Sequence, residues 1–427
     1  MNQFNAHNYA LRDFFEFFLD DHGSRELKEM VDLDSIDGIL RKCLSIEEMR
    51  EAGSFFTGQR LSTAAVLGFT KAITLNSVVL DPTCGAGNLL IEVSRQLGVE
   101  QSLLSTLTAW GAVLRGYDLH KSFIEAAKLR IVLEALNRGA EKDCSLDSAL
   151  QLLSGIKVKD AMLVGRVDLA DVTHVIMNPP FSNWKSPKIN FWKTGKVNAA
   201  SVVFEHYVRN LPLMCQISAI LPDVLRSGSR YEGWRGFISQ NFCGDCELAG
   251  LFNAKTDVDV FLLRGALKSD CNDVSWFPRL GDYIQLSEQF DVCVGPLVAY
   301  RDPLIGLSHP YIHSKNAPLW KTVKQFDEYR QFPGRVIKPP FVVIRRTSRP
   351  DDKYRASGTI ISGKMPVAVE NHMIVIKPKR ATLKECRKLL KIFKSSLTND
   401  FLNDRIRCRH LTVGIVNQIP IIRAIPL

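Results

Sequence analysis

Between about residues 53 and 265 the chain alternates short β-branched runs with runs of helical length, and this rhythm limits the fold more than any other feature. Residues 78–80 predict a strand, followed by a helix over about 88–97. Residues 113–117 predict a second strand, leading into a long helix over about 121–137. The run 174–177 reads as a strand halted by two prolines, and 217–221 as a strand halted at Pro222. Runs at 246–252 and 259–263 close the series. Such alternation implies a mostly parallel α/β sheet covered on both faces. In open sheets of this kind ligands sit at the carboxyl ends of the strands.

The flanks read differently. Leu11, Phe14, Phe15 and Phe18 form one apolar helical stripe, and Ile36, Leu40 and Leu44 form another, so residues 1–50 predict a small helical segment packed on the next domain. After about residue 270 prolines punctuate the chain. Strands are expected at 341–346 and, around Glu370-Asn371, within 365–377, with an amphipathic helix over 381–396. The expected division is therefore 1–50, 51–268 and 269–427, the last a separate α+β domain.

Charge follows the same division. From Arg301 onward there are 25 Lys+Arg and 9 Asp+Glu, against 30 and 36 before it. A basic C-terminal third points towards a polyanion. The opening residues carry acids and lack a basic start with an apolar run, so no secretory signal is expected. The apolar stretch 63–80 is broken by Lys71 and Asn76, which argues against a membrane span. A cytoplasmic protein is expected. Of ten cysteines only Cys243 and Cys246 form a CxxC, with no second pair or nearby histidines, so no metal is expected and the cysteines read as ordinary thiols.

Three motifs at strand ends carry chemistry. The first is Leu80-Asp81-Pro82-Thr83-Cys84-Gly85-Ala86-Gly87-Asn88. Its glycines allow a ligand to approach bare backbone, although a tight turn without a ligand looks the same. It lacks the third glycine of a dinucleotide fingerprint and the lysine of a phosphate loop. An acid at the strand end suits a cationic ligand better than a pyrophosphate. The second is Asp118, placed to accept both hydroxyls of a ribose. It lies 31 residues beyond Gly87 rather than the usual 20 or so, an excess assigned to an insertion at about 98–110. Asp160 follows where a third strand would end and could take an adenine amino proton.

The third motif, Asn178-Pro179-Pro180-Phe181, maps onto a reaction. Proline drives the preceding residue extended, so the Asn178 side chain and the Pro179 carbonyl can be held as two aimed acceptors. An exocyclic amino group offers two N–H donors. With both engaged, its nitrogen can point a lone pair at an incoming methyl carbon without a strong base. Each bond supplies on the order of 1–3 kcal/mol. Phe181 offers a flat face for a base, worth roughly 1–3 kcal/mol.

Together these motifs resemble the amino-methyltransferase family that acts on adenine in DNA, over about residues 50–265. Gly53-Ser54-Phe55-Phe56-Thr57 precedes the glycine turn, an order similar to the gamma class, which includes type I modification subunits and TaqI-like enzymes. That family often places a Thr-Pro after the aromatic, whereas Gly58 follows Thr57 here. The resemblance implies a Rossmann-like S-adenosylmethionine-dependent methyltransferase sheet and a C-terminal target-recognition domain. It implies cofactor contacts at Phe56, Thr57, Asp81, Pro82, Cys84, Gly85, Gly87, Asp118, Leu119, Asp160, Ala161 and Asn178. It also implies catalysis by Asn178, Pro179, Pro180 and Phe181. The closing residues 411–420 resemble the end of recognition domains in restriction–modification systems. The expected partner is double-stranded DNA, with the base flipped out of the duplex. Arg345, Arg346, Arg349, Lys353 and Arg355 would hold phosphates or read guanine edges. A restriction endonuclease or specificity subunit would be a separate polypeptide. Two alternatives stay open: the same chemistry on an RNA base or a protein glutamine, and a non-catalytic DNA-specificity subunit.

Overall fold

A computed structural model describes residues 2–19, 22–43, 56–253, 256–268, 274–278, 281–407 and 409–422. Leu44 and the Gly53, Ser54 and Phe55 of the N-terminal motif lie outside these residues. The chain divides into two compact units, 1–276 and 277–427.

The first unit is built on a doubly wound sheet. Five parallel strands, β1 (Val79–Asp81), β2 (Leu114–Asp118), β3 (Ile156–Val158), β4 (His174–Met177) and β5 (Gln216–Pro222), are joined by β6 (Phe242–Asn253) and β7 (Thr256–Leu267). Their order is β6-β7-β5-β4-β1-β2-β3, with a short strand at Val274–Ser275 outside β6. β7 runs antiparallel to both of its neighbours. The order reverses at β1, which lies between β2 and β4. This is the topological switch point where such sheets bind ligands. Every residue of β1, β4 and β5 is buried, as expected for strands covered on both faces.

Helix Lys121–Asn137 packs centrally against the sheet, and 12 of its residues are buried. The segment expected as an insertion is an extra helix, Leu103–Val113, running straight into β2. It accounts for the long spacing between the glycine turn and Asp118.

The N-terminal helices, Asn2–Glu16, Arg25–Val31 and Ser35–Cys43, lie within the same unit. Arg130, fully buried, ties them in. Its guanidinium donates to the Asp32 carbonyl (2.9 Å) on one side, and to the Ala86 carbonyl (2.9 Å) and Asn88 Oδ1 (2.5 Å) on the other. Burial lowers its pKa to about 9.

The second unit holds a five-stranded sheet ordered Phe290–Val294, Met373–Pro378, Phe341–Arg345, Gly358–Ile361, Thr322–Val323. Helices Leu383–Phe393 and Ser396–Arg405 share a core with it. A three-stranded sheet lies in the same unit. No described helix is long and apolar enough to cross a membrane. The reading of the cysteines as ordinary thiols holds for Cys84, Cys144, Cys215, Cys246, Cys293 and Cys386. It fails for Cys243, which is disulfide-bonded. Among the described residues no cluster could hold a metal ion.

Candidate active site

Asp81, Asp118 and Asn178 come at the carboxyl ends of β1, β2 and β4, and Asp160 two residues beyond β3. Four adjacent parallel strands thus deliver four polar side chains to one rim. They border a cleft whose wall includes Phe56, Thr57, Pro82, Cys84, Gly85, Leu119, Ala161 and Pro180.

The glycine turn is held from below. Asp81, 1% exposed, accepts from the Thr83 amide (3.1 Å), and the Cys84 amide donates to the Tyr117 carbonyl of β2. Asp118 Oδ2 accepts from the Gly85 amide (3.2 Å) and its Oδ1 from the His120 amide (2.8 Å). A carboxylate has about four lone-pair sites, so both oxygens of Asp118 keep capacity for two ligand hydroxyls.

Gly85 has φ of +52°, and a Cβ there would come within 2.7 Å of the Phe56 ring. Gly87 plays a different part from the one expected. It does not line the cleft. At φ +86° its missing Cβ would meet Ala127 at 2.9 Å, so this glycine lets helix Lys121–Asn137 approach the turn.

Burial raises the pKa of both carboxyls. Asp81 is pushed up to about 8 by desolvation, with the Asp118 charge adding to the rise, and Asp118 is raised mainly by desolvation. Three carboxyl groups thus line the cleft, with Lys159, which pairs with Asp168 at 2.9 Å, and His120. A cationic ligand would draw Asp81 into its charged form, whereas a pyrophosphate would hold it protonated.

The tetrapeptide turn is joined to the same wall. Asn178 Nδ2 donates to Thr57 Oγ1 (3.0 Å), which assigns the amide oxygen the role of acceptor. The Thr83 hydroxyl donates to the Asn178 carbonyl (3.4 Å), linking the two turns. Pro179 is buried and does not line the cleft. Phe181 is half-buried and also off the cleft wall, packed edge-to-face on Phe252 at 5.7 Å. The Gly58 that replaces the family's proline has a local cause. A Cβ there would strike the Asp34 carboxylate, which accepts from the Gln59 amide at 3.0 Å.

Several wall residues escaped the sequence reading: Thr83, Asn88, Leu89, His120, Phe123, Lys159, Met162, Trp184 and Val203. His120 and Phe123 open the helix after β2, so the strand-end rule could have found them. Trp184 lies only three residues past Phe181. Val203, on helix Ala199–Asn210, carries no local signal. Asn88 donates to the Thr57 carbonyl (2.6 Å) and the Leu33 carbonyl (2.9 Å), fixing Thr57 for its bond to Asn178.

The five basic candidates of the second unit separate by burial. Arg345, Arg349 and Lys353 are exposed and Arg346 is half-buried. Arg355 is 1% exposed and is corrected to a structural role. It donates to Ser348 Oγ (2.9 Å), Asn403 Oδ1 (2.6 Å) and the Ile406 carbonyl (3.1 Å), out of reach of a phosphate.

Residues 35–212 match the N-6 DNA Methylase family, so the resemblance drawn from the motifs holds there. No curated protein matches the chain. The type IIL restriction-modification enzyme MmeI, solved in complex with DNA, is similar in fold, with a TM-score of 0.57 at 10% identity over 91% of this chain and 70% of that one. A modification subunit assigned to a type I restriction enzyme from Vibrio vulnificus YJ016 gives 0.39 at 17% identity over 58% and 51%. The type IIG restriction endonuclease BpuSI gives 0.44 at 13% over 94% and 61%. The chain therefore spans 51% and 61% of the lengths of these last two.

Proposed function

We propose that the chain is a site-specific DNA methyltransferase acting on the exocyclic amino nitrogen of adenine, the modification enzyme of a restriction–modification or phage-defence system. One observation carries this reading: the Asn178 turn stands on the rim of an acidic cleft, coupled to it through Thr57 and Thr83.

The cleft fits S-adenosylmethionine on its own chemistry. Asp118 has the acceptor capacity for two ribose hydroxyls, Asp81 would face the cationic part of the cofactor, and Asp160 would accept from an adenine amino group. Phe56 and Phe123, at 5.3 Å between ring centroids, give an apolar wall. When bound, this cofactor supplies an electrophilic methyl carbon.

The chain's own contribution is positioning. Thr57 holds the Asn178 amide, and the amide oxygen together with the Pro179 carbonyl accept the two N–H bonds of the target amino group. The nitrogen then presents its lone pair without prior removal of a proton, and one of its two N–H protons is released to water once the methyl group has been accepted and the methyl–sulfur bond has broken. In keeping with this, the acids of the cleft serve binding, and no acid or histidine adjoins the tetrapeptide in sequence. Phe181 packs on Phe252 at the base of the turn and stacks a flipped adenine with its outer face. The second unit, with Arg345, Arg346, Arg349 and Lys353, would supply target recognition. A restriction endonuclease or specificity subunit would be a separate chain.

Transfer of label from methyl-labelled S-adenosylmethionine into pools of DNA, RNA and protein tests this reading. The expected product is N6-methyladenine in DNA. Label in RNA or protein alone would transfer the assignment to another planar amine or amide.

A further inference from the structure

Between Asp171 and Glu205 the chain holds no acid and four lysines, Lys185, Lys188, Lys193 and Lys196, in a region of the molecule otherwise richer in acids. All four are exposed. None makes an ion pair among the described residues. They lie on one hairpin, Asn183–Lys185 paired antiparallel with Lys196–Asn198, which begins two residues after the tetrapeptide. In that register Lys185 stands directly opposite Lys196. Like charges directly opposite on neighbouring strands destabilise a hairpin, so on its own the arrangement works against the fold.

The hairpin is nevertheless held by contacts to the rest of the unit, although its tip carries left-handed backbone at Lys188 (φ 59°) and Asn190 (φ 52°), conformations uncommon outside glycine. Trp192, buried, anchors it by donating from its indole nitrogen to Glu205 (2.6 Å), and Arg230 donates to the Thr194 carbonyl (2.7 Å). Its two legs close on the catalytic turn. Asn198 Nδ2 donates to the Phe181 carbonyl (3.0 Å), and the Ala199 amide donates to the Ser182 carbonyl (2.8 Å). Trp184, between the lysine-bearing positions and the turn, lines the cleft. Ammonium groups without ion pairs among the described residues are thereby joined to the turn proposed to hold the target amine.

We infer that this lysine hairpin is a phosphate clamp, binding the DNA backbone beside the nucleotide whose base enters the site. The inference rests on the proposed DNA reading and adds a second nucleic-acid contact region, in the first unit. A polyanion crossing the hairpin relieves the Lys185–Lys196 repulsion, and lysine serves here as a point charge for phosphate rather than as a reader of bases.

The test uses the full chain, a fluorescein-labelled mixed-sequence DNA duplex and a salt titration. Replacing all four lysines by alanine should weaken binding about tenfold or more at physiological salt. It should also flatten the log–log salt dependence by about 0.9 for each phosphate that is no longer neutralised. Replacing all four by arginine should restore both, and S-adenosylmethionine affinity should be unchanged in both variants. If the alanine variant keeps the affinity and salt slope of a chain that binds and methylates DNA, the clamp is wrong and the function stands. If the unaltered chain shows no salt-dependent binding to the duplex, clamp and function fall together. Loss confined to a single-stranded RNA probe would also overturn the clamp.

Discussion

The cleft of the first unit is lined by acids at the ends of parallel strands, buried at Asp81 and half-buried at Asp118, whereas the charged candidates of the second unit are mostly exposed bases. Asp81 and Asp118 sit where desolvation raises their pKa values, and each also accepts from backbone amides. Arg345, Arg349 and Lys353 keep their charges in water, where a polyanion can reach them. Arg355, six residues beyond Arg349, is turned inward and does for the second unit what Arg130 does for the first: it joins segments far apart in sequence through carbonyl and amide oxygens. Among the bases, burial separates charges that build the fold from charges a polyanion can reach.

That contrast can be broken in several places. Asp118→Ala removes two acceptors from the ligand and two from the backbone. It should weaken S-adenosylmethionine binding by about 100-fold, given that hydrogen bonds to charged groups contribute about 1.5–3 kcal/mol each; calorimetric titration would show it. Arg355→Met leaves the Asn403 and Ile406 oxygens short of a donor and should cost about 2–3 kcal/mol of stability, seen as a lower denaturation midpoint. An unchanged midpoint together with weaker DNA binding would return Arg355 to the DNA-contacting group. Gly87→Ala forces a left-handed alanine against Ala127, and a loss of about 1–3 kcal/mol is expected, measurable by chemical denaturation.

The acids also make a pH prediction. Asp81 is protonated in the free cleft below about pH 8. A cationic ligand favours the carboxylate, so binding expels that proton. Affinity for S-adenosylmethionine should therefore rise as pH climbs from 6 towards 8, by about tenfold overall, and level off above. In Asp81→Asn the profile should be flat. The smallest effect is expected at the exposed bases. Arg345→Ala or Arg349→Ala should each weaken DNA binding a few-fold and reduce the salt slope by about 0.9, with no change in melting temperature.

Much of the first unit is legible in the sequence because each strand of the switch point ends at a residue whose type announces the turn: Asp81 before Pro82, Asp118 after Tyr117, Asn178 before two prolines. Short-range pattern suffices there. It fails where partners are remote. Gly87 reads as a ligand-facing glycine until helix Lys121–Asn137 is seen against it. Arg355 reads as one more surface base, since Asn403 and Ile406 lie about 50 residues away. Phe181 reads as a free stacking face, although Phe252 already covers one edge. The lysine hairpin is inconspicuous in sequence because the larger excess of positive charge lies further along the chain, in the second unit. There the strand expected at 341–346 is found at Phe341–Arg345, and the helix expected at 381–396 at Leu383–Phe393. The three-stranded sheet pairs residues as far apart as Tyr311 and Ala368, which local pattern cannot show.

The account turns on one side chain. Steady-state methylation of duplex DNA by Asn178→Ala, measured beside its S-adenosylmethionine affinity, tests it most directly. The predicted result is a fall in kcat on the order of 100–1,000-fold with cofactor affinity kept within a few-fold. An Asn178→Ala chain that methylates adenine at the original rate would contradict the account.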